Sequence, residues 1–336
     1  MFDRLALLLL LALVLSPLVG PACAQDDFYK GKTITIVVGF SPGGGYDVNA
    51  RAVARHIGKH IPGNPTVIVQ NMPGAGSLTS VRYLDATAPK DGTVVTIFNP
   101  GLVTQSVVEP EKVNVDFRKV SWVGIITPDF RVCYGFGPNG VKTWADMMGR
   151  KEFILGSTAK GAGNYINGAT LKHVFNAPVR QILGFPGSAE QRIAIERGEL
   201  DGDCGSFSSI PQAWINENKA HSFVRFTESK PPEIPESAVF INTFATTQEQ
   251  IQLLNVLNAA DQIGRPFIMS KQVPAERLTV LQNAFNATMK DPAFLADMEK
   301  QQLPVHPLRG EEAEAVVAQL ANVPPTVLAK ARAIYE

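Results

Sequence analysis

Five glycine-bearing segments hold the residues with which this chain could do chemistry. Gly39-Phe40-Ser41-Pro42-Gly43-Gly44-Gly45-Tyr46-Asp47 follows the apolar run 33–38 and precedes a helical repeat. Asn71-Met72-Pro73-Gly74-Ala75-Gly76-Ser77, Asn99-Pro100-Gly101, Gly156-Ser157-Thr158-Ala159-Lys160-Gly161-Ala162-Gly163-Asn164 and Gly184-Phe185-Pro186-Gly187-Ser188 stand in the same setting, between an apolar run and a helix. Glycines let main-chain N–H groups approach a ligand with no Cβ in the way, and the helix behind them turns its positive end towards the same point. Such a device receives a carboxylate or a phosphate. Asp47 is placed to cap the first turn of a helix whose apolar positions are Ala50, Val53, Ala54, Ile57 and Ile61, with Pro62 as its stop.

Catalytic readings of the same residues lose support one by one. Gly39-Phe40-Ser41-Pro42-Gly43 fits Gly-x-Ser-x-Gly, the nucleophile elbow of serine hydrolases, but there the residue after the serine must donate its N–H to an oxyanion, and Pro42 has none. Gly156 and Gly161 have phosphate-loop spacing, yet Ala162-Gly163 replaces the Lys-Ser/Thr that would hold phosphate and magnesium. His56 and His60 are four apart, but Ile57 stands where a zinc protease has glutamate, so they read as helix-surface histidines. What remains is anion capture by backbone amides, with no catalytic residue, metal or cofactor.

Lysine plus arginine equals aspartate plus glutamate, 31 against 31, so no global field draws in nucleic acid or an anionic membrane. Arg4, the apolar run 5–15 and Ala22-Cys23-Ala24 read as an export signal cleaved after Ala24, giving residues 1–24 as a signal peptide and a periplasmic mature chain. Lipid attachment at Cys23 is the weaker reading, because Gly20 and Pro21 make a poor lipobox. Export leaves Cys133 and Cys204 where disulfides persist. A bridge and two buried free thiols remain equally open.

The elements that position the loops follow from the pattern. Apolar runs at 33–38, 66–70, 93–98 and 121–127 alternate with helices, which predicts an α/β fold with a mostly parallel sheet and ligands outside the carboxyl ends of its strands. The same grammar repeats at 153–155, 165–175 and 179–183. A run at 263–269 reads as a strand returning to the first domain, followed by helices over 275–289 and 311–320. Domain 1 is then 25–127 plus 262–336 and domain 2 is 128–261, with two crossings as a hinge and glycine loops facing each other across a cleft.

The order Lys32-Thr33-Ile34-Thr35-Ile36-Val37-Val38, Phe40-Ser41-Pro42-Gly43-Gly44-Gly45-Tyr46-Asp47, Asn71-Met72-Pro73-Gly74-Ala75-Gly76-Ser77 and Pro89-Lys90-Asp91-Gly92 resembles the solute-binding receptors of tripartite tricarboxylate transporters, the TctC or Bug proteins. The resemblance continues through Gly187-Ser188-Ala189 and Arg197-Gly198-Glu199-Leu200-Asp201-Gly202. It implies a two-domain periplasmic-binding-protein fold, a type II Venus flytrap, that is monomeric and has no catalysis. Such a receptor would capture a small carboxylate, a dicarboxylate or an aromatic acid, and deliver it to a membrane permease. Carried over by position, ligand contacts fall on Phe40, Ser41, Gly43, Gly44 and Asp47, on Gly74, Ala75, Gly76 and Ser77, on Ser157, Thr158, Gly163 and Asn164, on Gly187 and Ser188, and on Asp203. Asp47 has two readings, helix cap and partner for a ligand ammonium group. Arg131 and Arg265, near the expected hinge, either form structural ion pairs or meet a second carboxylate. An exported serine hydrolase around Ser41 and a sensor for a membrane kinase are the competing expectations.

Overall fold

Eleven strands form two sheets among residues 27 to 335, the part of the chain that the computed structural model describes. In chain order they are β1 (Thr33–Val38), β2 (Thr66–Asn71), β3 (Val94–Ile97), β4 (Val120–Ile125), β5 (Val132–Phe136), β6 (Phe153–Ser157), β7 (Val179–Leu183), β8 (Gly202–Asp203), β9 (Ala220–Arg225), β10 (Val239–Phe240) and β11 (Pro266–Ser270). The first sheet has the order β2-β1-β3-β11-β4 and the second β10-β9-β5-β8-β6-β7. The export signal expected at 1–24 lies outside the described residues.

Alternation sends successive side chains of a strand to opposite faces, and both faces of the first sheet are covered. Ile34, Ile36 and Val38 pack with Ala50, Val53 and Ile57 of the Gly45–Ile57 helix and with Leu281 and Phe285 of the Ala275–Thr288 helix. Val37 points the other way, into a cluster with Phe98, Leu102, Trp122 and Val316. Each such aliphatic side chain contributes about 1.5–3 kcal/mol when fully buried. Phe285 lies so close to the first sheet that a Cβ at Gly124 would sit 2.4 Å from its ring.

Both sheets are mostly parallel, as expected, with one strand in each running against the others. β1 runs parallel to β2 and β3, whereas β11 is antiparallel to β3 and β4. In the second sheet β6 is parallel to β7 and β8, and β5 is antiparallel to β8 and β9. The reason is connectivity: β5 and β11 are the first strands after the chain passes from one sheet to the other, and each enters against the direction of its new neighbours.

The two passages run side by side. Asp129 N–H donates to Asp261 O at 2.7 Å, Ile126 N–H to Arg265 O at 3.2 Å, and Arg265 N–H to Thr127 O at 3.1 Å. Gly264 permits this approach, since a Cβ there would lie 2.1 Å from the Asp129 nitrogen. The return strand begins at Pro266, three residues later than its apolar pattern suggests, because residues 259–263 form a 3-10 turn instead. Four helices lie outside the sequence pattern, the short Pro110–Val113 and Gln212–Asn216 and two longer ones. Pro292–Lys300 is capped by Asp291, which accepts from Ala293 N–H. Pro325–Tyr335 packs Val327, Ala331 and Ile334 into the cluster that also holds Tyr165, Ile166 and Ala169 of the Gly163–Phe175 helix. Cys133 and Cys204 form a disulfide between β5 and the end of β8, which closes the question left open by the sequence.

Candidate ligand-binding site

A cavity of about 50 Å³ separates the two sheets at the ends of β1, β3, β6 and β8. Three helices begin on it: Gly45–Ile57, Gly163–Phe175 and Ser188–Glu196, whose first residues Gly45, Gly163 and Ser188 all line it. Their N-cap residues are Gly44, Ala162 and Gly187, and none of the three supplies a side-chain cap. None of the three therefore has the N-cap partner that Thr143, Thr247 and Asp291 give to helices elsewhere, and in the Gly163–Phe175 helix Tyr165 N–H donates instead to Asn164 Oδ1 at 3.0 Å. Three positive helix ends aimed at one small cavity make it a receiver for an anion.

Polar side chains complete the lining. Thr158 Oγ1, Tyr46 Oη and Gln191 Nε2 are buried without a hydrogen-bond partner, and all three residues face the cavity. Burial pushes the Tyr46 phenol up to about 12, with Arg265 opposing, so it stays a neutral donor. Asp203 is the acidic residue of the lining; burial raises its carboxyl to about 6, against the pull of Cys204 N–H, Arg131 and Arg192.

Beneath the cavity lies a buried ionic cluster. Arg131 meets Asp129 at 2.7 Å and Asp261 at 2.9 Å, Arg265 stands 3.6 Å from Asp129, and the Arg265 guanidinium lies 4.3 Å over the Tyr46 ring. Burial pushes Asp261 up, offset in part by Arg131. Gly163 lies directly against Arg131, for a Cβ there would fall 2.2 Å from the guanidinium carbon. Arg131 and Arg265 are thus structural ion-pair members, and Arg131 also borders the cavity.

The rims touch. Ser41 Oγ donates to Glu190 Oε2 at 2.8 Å, Arg192 Nη2 donates to Gly43 O at 2.8 Å, and Asn99 Nδ2 donates to Gly161 O at 3.4 Å. A larger groove of about 550 Å³, lined by Phe130, Ile210, Leu295 and His306 among others, includes none of the glycine loops.

No family model matches the sequence. A UPF0065 protein of Agrobacterium vitis is 24% identical over 292 residues, covering 85% of this chain and 80% of its own. Among solved structures, the periplasmic binding protein BugD superposes with a TM-score of 0.75 at 18% identity, over 91% of this chain and 98% of BugD. MatC from Rhodopseudomonas palustris, solved with bound malate, gives 0.70 at 18% identity over 91% and 99%. An R. palustris protein solved with adipate gives 0.71 at 16% identity over 90% and 97%. The chain has the Bug and TctC periplasmic-binding-protein fold.

Within that Bug and TctC fold, the residues expected at the site divide into three groups. Phe40, Gly44, Thr158, Gly163, Asn164, Ser188 and Asp203 line the cavity. Ser41, Gly43 and Gly187 form its rim; the Ser41 hydroxyl lies 2.4 Å from where a Gly187 Cβ would be. The others stand behind the lining. Asp47 is the third residue of its helix, after the N-cap Gly44, and its carboxylate accepts from Gly43 N–H, Arg51 Nε and Asn71 Nδ2. Desolvation works against that charge, but these partners outweigh it and hold Asp47 below the ordinary carboxylate range. With its oxygens so committed, Asp47 has no share in the cavity lining.

Gly74, Ala75, Gly76 and Ser77 also fall short of the cavity. Gly74 at φ 146° and Gly76 at φ 63° let this loop fold back, so that Ser77 Oγ accepts from Asn99 N–H at 2.9 Å and Gly76 packs on Ala162. The loop holds Asn99, which does line the cavity. Ser157 Oγ donates to Gln181 Oε1 at 2.6 Å instead of facing a ligand.

Pattern reading passed over Tyr46, Asn99, Gln191, Ser206 and Ser209 as site residues. Gln191 was recoverable: three positions after Ser188, it lies one turn into a helix whose start was already assigned to the site. No histidine lines the cavity, and the Ser41 hydroxyl is directed to a carboxylate across the rim. His56 and His60 contact Asp297 and Asp291. Among the described residues no helix is long and apolar enough to cross a membrane.

Proposed function

We propose that this protein is an extracytoplasmic receptor that captures a small carboxylate and delivers it, as a monomer, to the permease of a tripartite tricarboxylate-type transporter. The observation that carries the reading is the convergence of three helix starts without side-chain caps on one buried cavity between two sheets. Malate and adipate, named with the structural neighbours, support carboxylates as the ligand class and put dicarboxylates first in any screen, ahead of aromatic acids.

The mechanism is differential affinity between two domain arrangements. The domains would be 25–127 with 262–336 and 128–261, joined by the paired crossings. A ligand held by amides of both walls gains its full contacts only when the walls meet, so binding shifts the population towards the closed form. The rim bonds of Ser41 with Glu190 and of Arg192 with Gly43 then add to closure.

The test is a thermal-shift screen of the mature protein against mono-, di- and tricarboxylates, aromatic acids and amino acids. A ligand at about a hundredfold its Kd adds ~2.7 kcal/mol to the native state, a clear rise in Tm. A rise with any carboxylate supports the receptor reading, and no rise across the panel overturns it. Light scattering on the liganded protein checks the monomer.

A further inference from the structure

We propose that the ligand carries an ammonium group as well as its carboxylate, and that Asp203 receives the ammonium group. The proposal rests on the receptor reading and narrows its ligand class to amino acids.

The placement of Asp203 makes the case. It is the acidic side chain of the cavity lining, is 5% exposed, and has Cys204 N–H as its hydrogen-bond donor, to Oδ1 at 2.9 Å. Among the described residues no salt bridge reaches it. The charged or titratable groups that face it are Tyr134 of the strand paired with β8, Arg131 just before that strand, and Arg192 of the Ser188–Glu196 helix. Arg131 is engaged by Asp129 and Asp261, and Arg192 donates to Gly43 O and Ser209 O. Both cations are therefore committed elsewhere, and Tyr134 brings no positive charge.

The backbone around Asp203 is built to hold it there. Cys204 is bonded to Cys133, and its carbonyl accepts from Asn167 Nδ2 at 3.0 Å. Gly205 leaves room for the carboxylate, since a Cβ there would lie 2.5 Å from Asp203 Oδ2. A buried carboxylate without a cation is costly, and the cost is recovered when a cation binds beside it.

The rest of the lining offers the opposite polarity. The three helix starts, Gln191 Nε2 and Thr158 Oγ1 all present donors, and the last two have no partner in the protein. The lining thus offers donors to a carboxylate and, in Asp203, an acceptor to a cationic donor. A plain dicarboxylate would set its second negative charge against Asp203. An amino acid satisfies both the donors and the acceptor, and this is the role the sequence offered to Asp47, whose oxygens are already occupied.

The experiment is calorimetric titration at pH 7.5 with matched pairs, succinate against aspartate, glutarate against glutamate and propionate against alanine, on the wild type and on Asp203→Asn. In at least one pair the amino member should bind the wild type about ten- to a hundredfold more tightly, the span of a hydrogen bond to a charged group. Asp203→Asn should reduce that preference to within about threefold, as the amino member loses its partner and succinate and glutarate are freed from the opposing charge. Circular dichroism verifies that the variant is folded, and the wild-type comparison is decisive without it. If unaminated acids bind the wild type as tightly as their amino counterparts, the proposal is overturned while the receptor reading stands. If nothing binds from these pairs or from the wider carboxylate panel, both fail together.

Discussion

The two walls of the cleft are built from the same strand, loop and helix device, yet they use it differently. On the first-sheet wall Asp47 and Ser77 serve the wall itself: Asp47 holds Gly43, Arg51 and Asn71, and Ser77 holds Asn99. On the second-sheet wall Thr158 and Gln191 end in the cavity without protein partners, and Asp203 has a single backbone donor. The first wall leaves Tyr46 Oη as its unpartnered side-chain group at the cavity, and the second leaves Thr158 Oγ1, Gln191 Nε2 and the Asp203 carboxylate.

The largest effect should come from the staple behind the second-sheet wall. The disulfide joins residues 71 apart, and a loop of that length corresponds to about 4 kcal/mol in the chain-entropy account. The double variant Cys133→Ala, Cys204→Ala should lose stability of that order in urea unfolding, and its loss of affinity should exceed that of any first-wall side-chain truncation. Equal affinity in the double variant would show that the second wall needs no staple.

Asp203 gives the next largest expected effect, with an opposite sign for stability and function. Its folded carboxyl sits near 6 against 3.8 for the ordinary group, so the folded state holds a proton that the unfolded chain has released between these values. Stability from this group therefore falls as pH rises from about 4 to 6, by about 3 kcal/mol. Asp203→Asn should raise Tm relative to the wild type at pH 7 and lose that advantage at pH 4. An advantage that does not depend on pH would remove Asp203 from the account.

Rim variants should do less. Gly187→Ala places a methyl 2.4 Å from the Ser41 hydroxyl, and because Gly187 is in extended conformation the cost is steric, about 1–3 kcal/mol, and falls on closure. Affinity should drop with little change in the Tm of the unliganded protein. Ser41→Ala removes one hydrogen bond across the rim, worth about 1 kcal/mol, so binding should weaken about fivefold. A complete loss of function in that variant would revive the hydrolase reading and break the comparison between walls.

The positions of the glycine loops were legible in the sequence, because an apolar run, a glycine cluster and a helical repeat have different periods that mark their own junctions. Seven of the residues expected at the site line the cavity. Gly74, Ala75, Gly76 and Ser77 lie behind the lining for a physical reason: glycine spacing does not reveal which way a loop folds, and here Gly74 and Gly76 turn it onto Asn99 and Ala162. Tyr46 and Arg131 were hard to place for another, since one belongs to an apolar helix face and the other stands far away in sequence.

By itself the sequence determined the local elements and the glycine loops at the helix starts, because strand period, helix caps and glycine backbone freedom act over a few residues. The tertiary structure alone decided that β5 and β11 run against their neighbours, that Cys133 meets Cys204, and that Asp203 rather than Asp47 reaches the cavity. Each of these depends on which distant segment packs alongside. A carboxylate with three local donors is spent, whereas one buried beside a cavity with a single donor still has an interaction to offer.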